Sequence, residues 1–180
     1  YCLLPAFSAI SDCKVKSICG KNSQRMQNYC KEYNISRYDD WKKMLIKENP
    51  DAIAIAVIPS NQYEIAKFAL EHNIAVFAEK PLTTTYNTSL ELSYLVKEKK
   101  LPNMVDFIFT EIPEWAKAKE LIESQMIGKI SSIDITWSFM SFDLKNQIKS
   151  WKTDVNHGGG ALSFFFSHIF HYMEYFLGKI

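Results

Sequence analysis

The chain has 180 residues and a hydrophobic content of 47%, which is enough to bury the core of one domain or of two small ones. Its 21 basic and 20 acidic side chains nearly cancel. We therefore expect neither nucleic acid nor a membrane surface as a partner, because both attract clustered positive charge. An aromatic content of 14% argues against disorder.

Strands and helices are predicted to alternate through the first part of the chain. The pattern predicts a helix at 1–7, a strand at 14–20, helices at 23–33 and 40–47, a strand at 51–59, a helix at 62–71, a strand at 74–81, a helix at 84–99 and a strand at 102–110. The last three strands are continuous apolar runs, which is typical of strands covered on both faces. This alternation favours an α/β fold with a doubly wound parallel sheet.

The pattern changes after Pro113. A helix is predicted at 115–126, and alternating apolar residues predict a longer strand at 129–139. Three consecutive glycines then precede a long apolar helix at 161–178. We therefore predict a first domain at residues 1–111 and a second at 112–180.

The cysteines indicate a reducing environment. All four lie within the first 30 residues without a Cys-x-x-Cys pair; they are Cys2, Cys13, Cys19 and Cys30. A secreted disulfide framework would be denser and better spread. No signal peptide opens the sequence, so we predict a cytoplasmic protein. The apolar stretch at 161–178 contains two serines, two histidines and a glutamate, which predicts a buried helix and not a membrane span.

The carboxyl end of the first predicted strand is a candidate dinucleotide site, because ligands of doubly wound sheets bind beyond such ends. Gly20, Lys21 and Asn22 lie there, where the adenosine ribose is expected. A basic residue at this place suits a ribose phosphate, so Lys21, helped by Arg25, favours NADP over NAD. The alternative, that Lys21 is an ordinary surface lysine, stays open.

Two further strand ends carry candidate contacts. Pro59 and Asn61 belong to a tight turn that could pack on the nicotinamide ribose, although alone they signal only a turn. Glu79, Lys80 and Pro81 follow the next buried strand. Burial lowers the pKa of a lysine and a neighbouring carboxylate raises it, so Lys80 could donate a hydrogen bond to a substrate hydroxyl. A structural ion pair is the other reading of this charged pair.

The glycines at 158–160 and the helix after them form the last candidate site, since glycines let the backbone approach a ligand closely. His168 and His171 share a helical face, but no convincing third ligand for a metal is visible, so we expect no metal site. His168 is either a proton-transfer group or a hydrogen-bonded core residue. Asp154, just before the glycines, is a candidate substrate contact or a surface-loop residue.

Together these segments resemble the glucose-fructose oxidoreductase, inositol dehydrogenase and rhizopine catabolism (Gfo/Idh/MocA) family. Five segments match in the family's order and spacing across essentially the whole chain. They are LLPAF at 3–7, SICGKN at 17–22, DAIAIAVIPSNQYEIAKFAL at 51–70, VFAEKPL at 76–82, and a tryptophan followed by GGGAL and a histidine at 151–168. The EKP segment after a buried strand, combined with the distant GGGAL and histidine, is fairly specific.

The resemblance implies a Rossmann-type parallel sheet followed by the start of an α/β domain with a mainly antiparallel sheet. It implies hydride transfer, with NAD or NADP, to or from a carbinol or ketone of a sugar, nucleotide sugar or cyclitol. Lys80 matches the family's catalytic lysine, and His168 matches the histidine after GGGAL. Glu79, Lys80 and Pro81 are then cofactor contacts, and Asp154 joins the two catalytic residues as a substrate contact. The family's second sheet often pairs with a neighbour, which predicts a homo-oligomer.

Three positions around His168 depart from the family pattern. The family often has aspartate where Phe164 and His171 stand, and glycine where Phe166 stands. An aspartate beside the imidazole would orient the ring and stabilise its charged form, and Phe164 can do neither. We therefore expect His168 to have a lower basicity and a looser ring orientation.

The family also has a first strand and a glycine-rich G-x-G-x-x-G/A loop ahead of LLPAF, and it continues beyond residue 180. This sequence lacks these parts, so we expect a chain that is cut at both ends and that binds dinucleotide poorly by itself. Two alternatives stay open. The missing aspartate fits a non-catalytic relative that binds a sugar or dinucleotide as a sensor or partner protein, and an inactive truncated remnant is a third hypothesis.

Overall fold

The structure is a computed structural model that describes residues 3–138 and 140–179. Its strands are β1 (Ser17–Cys19), β2 (Ser36–Tyr38), β3 (Ala52–Ile55), β4 (Ala75–Glu79) and β5 (Asn103–Asp106). Its α-helices are α1 (Leu3–Ser8), α2 (Gln24–Glu32), α3 (Trp41–Glu48), α4 (Pro59–Glu71), α5 (Tyr86–Lys99), α6 (Pro113–Glu123), α7 (Phe142–Lys145) and α8 (Ser167–Leu177). The chain divides into two compact units. Unit 1 contains the residues up to 56 with 62–78 and 90–104, and unit 2 contains 57–61, 79–89 and the residues from 105 onward.

The strands form two sheets. β1 pairs in parallel with β2, in a register that places Cys19 opposite Tyr38. The second sheet has the order β3-β4-β5, and β3 pairs in parallel with β4, with Ile55 opposite Ala78. Parallel strands joined by helices confirm the predicted α/β fold class.

The core of unit 1 is built on the inner face of α4. Ala66, Ala69 and Leu70 are each no more than 1% exposed. Spacings of three and four residues place these side chains on one side of the helix, as the sequence predicted. The other buried apolar side chains of this unit are Ile35, Met44, Leu45, Ile55, Ile65, Ile74, Val76, Ala78 and Leu92.

All four strands predicted in the first part of the chain are shorter than expected. The strand predicted at 14–20 spans Ser17–Cys19, and the strand predicted at 74–81 spans Ala75–Glu79. The strand predicted at 51–59 ends at Ile55, and Pro59 is the first residue of α4. Proline suits the first turn of a helix because its φ is preset and its missing N–H would have no partner there. The strand predicted at 102–110 ends at Asp106, and a 3₁₀-helix follows it.

Aromatic side chains of α6 and α8 pack together in unit 2. Trp115 stacks on Phe176, with ring centroids 5.3 Å apart, and lies 4.7 Å from the ring of Tyr172. The helix predicted at 161–178 begins as a π-helical segment, Ala161–Phe166, and continues as α8.

A strand was predicted at 129–139. Residues 129–138 form no strand in the structure, and Phe139 lies outside the described part of the chain. A strand requires a hydrogen-bonded neighbour. Between residues 112 and 179, the described chain contains no strand that could serve as that neighbour, and therefore no antiparallel sheet. The alternating side chains at 133, 135 and 137 are between 38% and 42% exposed.

Within the residues that the structure describes, no helix has both the length and the apolar composition needed to cross a membrane. Cys13, Cys19 and Cys30 are free thiols, and Cys2 lies outside the described residues. The predicted domain boundary after residue 111 stays a prediction.

Candidate active site

Lys80 follows β4 directly and belongs to unit 2. Its Nζ donates a hydrogen bond of 2.8 Å to the backbone carbonyl of Phe164 and lies 3.8 Å from the centroid of that ring. Burial lowers the pKa of Lys80 to about 8. The carboxylates of Glu79 and Asp106 oppose this shift, whereas the ammonium of Lys152 adds to it. Lys80 is therefore a half-buried amine that is still mostly protonated at neutral pH.

Two carboxyl groups from neighbouring strands accompany Lys80. Glu79 ends β4, and Asp106 ends β5. Burial raises the pKa of both groups, and the charge of Asp106 raises that of Glu79 further. Asp106 was not predicted, although a charged residue at the end of an apolar run is the same signal that pointed to Glu79 and Lys80.

The three glycines at 158–160 follow a 3₁₀ turn, Val155–His157, and pack against neighbouring chain segments of unit 2. A Cβ atom on Gly158 would lie 2.6 Å from Cβ of Pro59, and one on Gly159 would lie 2.1 Å from the carbonyl oxygen of Trp151. The sequence predicted that these glycines admit a ligand. In the structure they let the turn close tightly at the start of the π-helical segment that carries Phe164.

His168 is the second residue of α8 and is only 8% exposed. The rings of Phe107 and Phe109 meet it edge-on at 5.6 and 5.0 Å, and the ring of Trp137 lies 6.1 Å away. Its Nδ1 is buried, and no described residue forms a hydrogen bond with it. Burial, with smaller contributions from Lys80 and a neighbouring histidine, lowers the pKa of His168 to about 4. The imidazole is therefore neutral at pH 7.

Lys80 and His168 thus lie close enough within unit 2 for the charge of one to shift the pKa of the other. The lower basicity of His168 agrees with our expectation, but its main cause is burial. Instead of the looser orientation that we expected, the structure packs the ring between aromatic side chains. His171 stacks on Phe107 at 4.3 Å and is a packing residue. No group of three or more potential metal ligands occurs among the described residues.

Protonation of His168 should make stability depend on pH. Folding lowers its pKa from 6.5 to about 4, so between these values the unfolded chain binds more protons than the folded chain. This group's contribution to the free energy of unfolding therefore rises from about pH 4 to pH 6.5 and is constant above that range. We expect His168→Leu to lose less stability than the parent when the pH is lowered from neutral into that range. Urea unfolding of the parent and the variant, at neutral pH and within that range, checks this. Equal losses of stability in the two proteins would contradict it.

Among the remaining predicted contacts of unit 2, Pro59 and Asn61 lie in the first turn of α4 and not in the tight turn that the sequence predicted. Pro81 and Asp154 lie outside the helices and strands. Pro59 and Pro81 are buried, and Asn61 is exposed. The carboxylate of Asp154 accepts a hydrogen bond of 2.9 Å from the backbone two residues ahead and lies 3.9 Å from Nε2 of His157. Asp154 therefore shapes the turn before the glycines, and its contact with a substrate stays a prediction.

The residues predicted to meet the adenosine ribose lie in unit 1. Lys21 and Asn22 form an exposed turn after β1. The guanidinium of Arg25, on α2, donates a hydrogen bond of 3.1 Å to a tyrosine hydroxyl of the same helix. Arg37, which was not predicted, donates a hydrogen bond of 3.3 Å to the carbonyl of Gly20. Arg37 also donates a hydrogen bond of 3.0 Å to the carboxylate of Asp39, so this exposed turn has both a cationic and an acidic neighbour.

An open cavity of about 270 Å³ also lies in unit 2. Its lining residues are Trp137, Ser138, Ala161, Phe165 and Phe166. Trp137 thus borders both this mainly aromatic cavity and the ring of His168.

Parallel strands joined by helices, with a cationic turn at a strand end, are features of dinucleotide-binding α/β proteins. Residues 3–107 match the oxidoreductase family with an NAD-binding Rossmann fold, GFO_IDH_MocA. Residues 115–180 match the GFO/IDH/MocA C-terminal domain. The chain belongs to the Gfo/Idh/MocA family of oxidoreductases.

Two similar proteins illustrate the range of this family. An uncharacterized oxidoreductase of Synechocystis sp., sll0816, is 27% identical over 176 residues, which cover 97% of this chain and 47% of the relative. The dTDP-3,4-didehydro-2,6-dideoxy-alpha-D-glucose 3-reductase of Saccharopolyspora spinosa is 24% identical over 160 residues, which cover 89% of this chain and 47% of the relative. The chain thus spans about half the length of the curated relatives that it matches.

Solved structures show the same fold. An NAD-binding protein from Listeria innocua has a TM-score of 0.76 at 20% identity, over 97% of this chain and 50% of that one. KijD10, a 3-ketoreductase from Actinomadura kijaniata in complex with NADP, has a TM-score of 0.62 at 24% identity, over 70% of this chain and 40% of that one. At these identities, the likeness establishes the fold alone.

Proposed function

We propose that the whole protein transfers a hydride between a nicotinamide cofactor and a carbinol or ketone carbon of a sugar, nucleotide sugar or cyclitol. The observation that carries this proposal is the half-buried ammonium group of Lys80 near a neutral His168. The activities named for two similar proteins, the 3-reductase of Saccharopolyspora spinosa and a D-xylose dehydrogenase of Paenarthrobacter nicotinovorans, support a sugar-like substrate.

Lys80 holds and polarises the reacting oxygen in this proposal. An ammonium group has three donor hydrogens, and the carbonyl of Phe164 accepts one of them. A substrate oxygen can therefore accept a hydrogen bond from one of the other donor hydrogens. When a hydride reaches a carbonyl carbon, negative charge develops on its oxygen, and a fixed positive charge stabilises that state. The pKa of about 8 keeps Lys80 mostly charged at neutral pH.

His168 is the proposed proton acceptor in the oxidation and the proton donor in the reduction. A neutral imidazole is the form that accepts a proton, and the pKa of about 4 keeps His168 in this form at pH 7. The same low pKa makes the protonated form scarce and the neutral form a weak base. Proton transfer of this kind is typically worth about 100- to 10,000-fold in rate.

NAD or NADP, when bound, accepts or supplies the hydride. The proposed contacts of its adenosine ribose are Gly20, Lys21, Asn22 and Arg25. The proposed contacts of its nicotinamide half are Pro59, Asn61, Glu79, Lys80 and Pro81. Because Lys21 and Arg25 are cationic, they favour the additional phosphate of NADP.

An assay of the full-length protein with NADPH or NADH and a panel of keto sugars and cyclitol ketones tests the proposal. We expect the absorbance of the reduced nicotinamide to fall at a rate that saturates with substrate and is higher with NADPH. Neither binding nor turnover with any member of the panel would count against a sugar-related role.

The alternative function is a sensor or partner protein that binds a sugar or dinucleotide without turnover. The observation that favours it is Phe164, which offers no carboxylate to stabilise a charged His168. Saturable sugar binding without any change in nicotinamide absorbance would support this alternative over the enzyme.

A further inference from the structure

The ring of Phe164 is surrounded by charged and aromatic groups of unit 2. Nζ of Lys80 lies 3.8 Å from the ring centroid, and Nζ of Lys152 lies 5.6 Å from it. The ring of Trp151 meets it edge-on at 5.2 Å. The distance to Lys80 is well within the range in which a ring face attracts an ammonium group. One residue therefore contacts Lys80 with both its ring and its carbonyl oxygen.

The local backbone fixes the position of Phe164. It belongs to the π-helical segment Ala161–Phe166, and its amide donates a hydrogen bond of 3.0 Å to the carbonyl of Gly160. The hydroxyl of Ser163 donates another, of 2.6 Å, to the carbonyl of Gly159. The segment is thus tied to the glycine turn, in which a side chain on Gly158 or Gly159 would force neighbouring atoms to move.

The other charged or titratable groups that act on Lys80 come from β4, β5, α8 and the turn before the glycines. Glu79 and Asp106 favour its charged form, and Lys152 disfavours it. Lys152 is itself 3.5 Å from a carboxylate oxygen of Asp143. The imidazole of α8 is neutral at pH 7, so it adds no charge. Against this background, the ring of Phe164 is an additional contact that favours the ammonium form.

We propose that Phe164 is a positioning residue that holds the ammonium group of Lys80 between its ring face and its carbonyl oxygen. The functional meaning of this contact rests on the proposed role of Lys80, whereas the contact itself can be tested without turnover. The carbonyl is present whatever the side chain is, so the ring is the part that a substitution removes.

The rate at which acetic anhydride acylates Lys80 reports this contact, because only the neutral amine reacts. We would label the full-length parent, Phe164→Leu and Phe164→Tyr across neutral and alkaline pH and quantify the Lys80 peptide by mass spectrometry. Loss of the ring should raise the labelling rate at neutral pH by about 2- to 10-fold, the upper value being the limit at which all of Lys80 is neutral, and move the titration of Lys80 to lower pH. Phe164→Tyr keeps a ring face and should label like the parent. Phe170→Leu, at a position of α8 that is 53% exposed, is the matched control and should also label like the parent.

Labelling of Phe164→Leu at the parent's rate would overturn the inference. So would a change in Phe164→Tyr as large as that in the leucine variant. If Phe164→Leu does not fold, Phe164→Met replaces it with the same expectation, since methionine is also apolar and has no ring. Because labelling requires no turnover, the result separates a failure of this inference from a failure of the proposed enzyme function.

Discussion

The Lys80→Met variant of the full-length protein is expected to turn over about 100 to 1,000 times more slowly than the parent. Methionine keeps most of the side chain's length and apolar volume, so the change removes mainly the charge that stabilises the reacting oxygen. Steady-state kinetics with the substrate found in the panel measure the loss in kcat. Calorimetric titration should show that cofactor binding is largely kept, because Lys80 is only one of several proposed cofactor contacts whereas its charge is the group proposed to act on the reacting oxygen.

Lys67→Met is the matched control for this prediction. Lys67 lies on α4 in unit 1 and forms an ion pair of 2.7 Å with Glu91. Solvent screens a partly exposed ion pair of this kind, so the control should keep its turnover and nearly all its stability. Turnover retained in Lys80→Met would rule out the proposed role.

The Gly159→Ala variant is expected to lose about 3 kcal/mol or more of its free energy of unfolding. The added Cβ would lie 2.1 Å from the carbonyl oxygen of Trp151 and 2.6 Å from the carbonyl carbon of Lys152. These are backbone atoms, so the chain itself must move, and no flexible side chain can give way. Urea unfolding measures the loss.

Gly128→Ala separates this packing effect from backbone strain. Gly128 has a φ of +75°, and no described atom outside its own neighbourhood in the chain lies within 4 Å of the place that a Cβ would take. Alanine there meets strain without a clash, and that strain should cost only about 1 kcal/mol. A loss in Gly159→Ala no larger than the loss in Gly128→Ala would show that the close approach to Trp151 is unimportant.

Elements with a strong burial pattern were predictable from the sequence. The inward side chains of α4 recur every three or four residues, and β4 is a continuous apolar run, so both were found. β2 was missed because its three residues, Ser36–Tyr38, form no apolar run. The π-helical start of the long helix was also missed, since its apolar spacing is close to that of an α-helix.

The candidate site was predictable only in part. Lys80 was predicted as a site residue because it is a charged residue at the end of a buried strand. Its contact with Phe164 joins residues that are 84 positions apart, and sequence spacing carries no information about such a distance. The aromatic rings around His168 likewise come from two other segments, at 107–109 and at Trp137, so the extent of its burial could not be read from α8 alone.

Several expectations stay predictions. They are the cytoplasmic location, a homo-oligomer formed through the second domain, the domain boundary after residue 111, and the role of each site residue. The full-length reading frame and its purified product are the materials that test them.

The ring of Trp137 lies 6.1 Å from that of His168, and this proximity gives the protein an internal optical reporter. A protonated imidazole quenches the emission of a nearby indole, whereas a neutral one does so much less. The emission of Trp137, measured as the difference between the parent and Trp137→Phe, should therefore weaken in acid as His168 takes up its proton. Light emission can thus follow the charge of one buried side chain before any substrate is known.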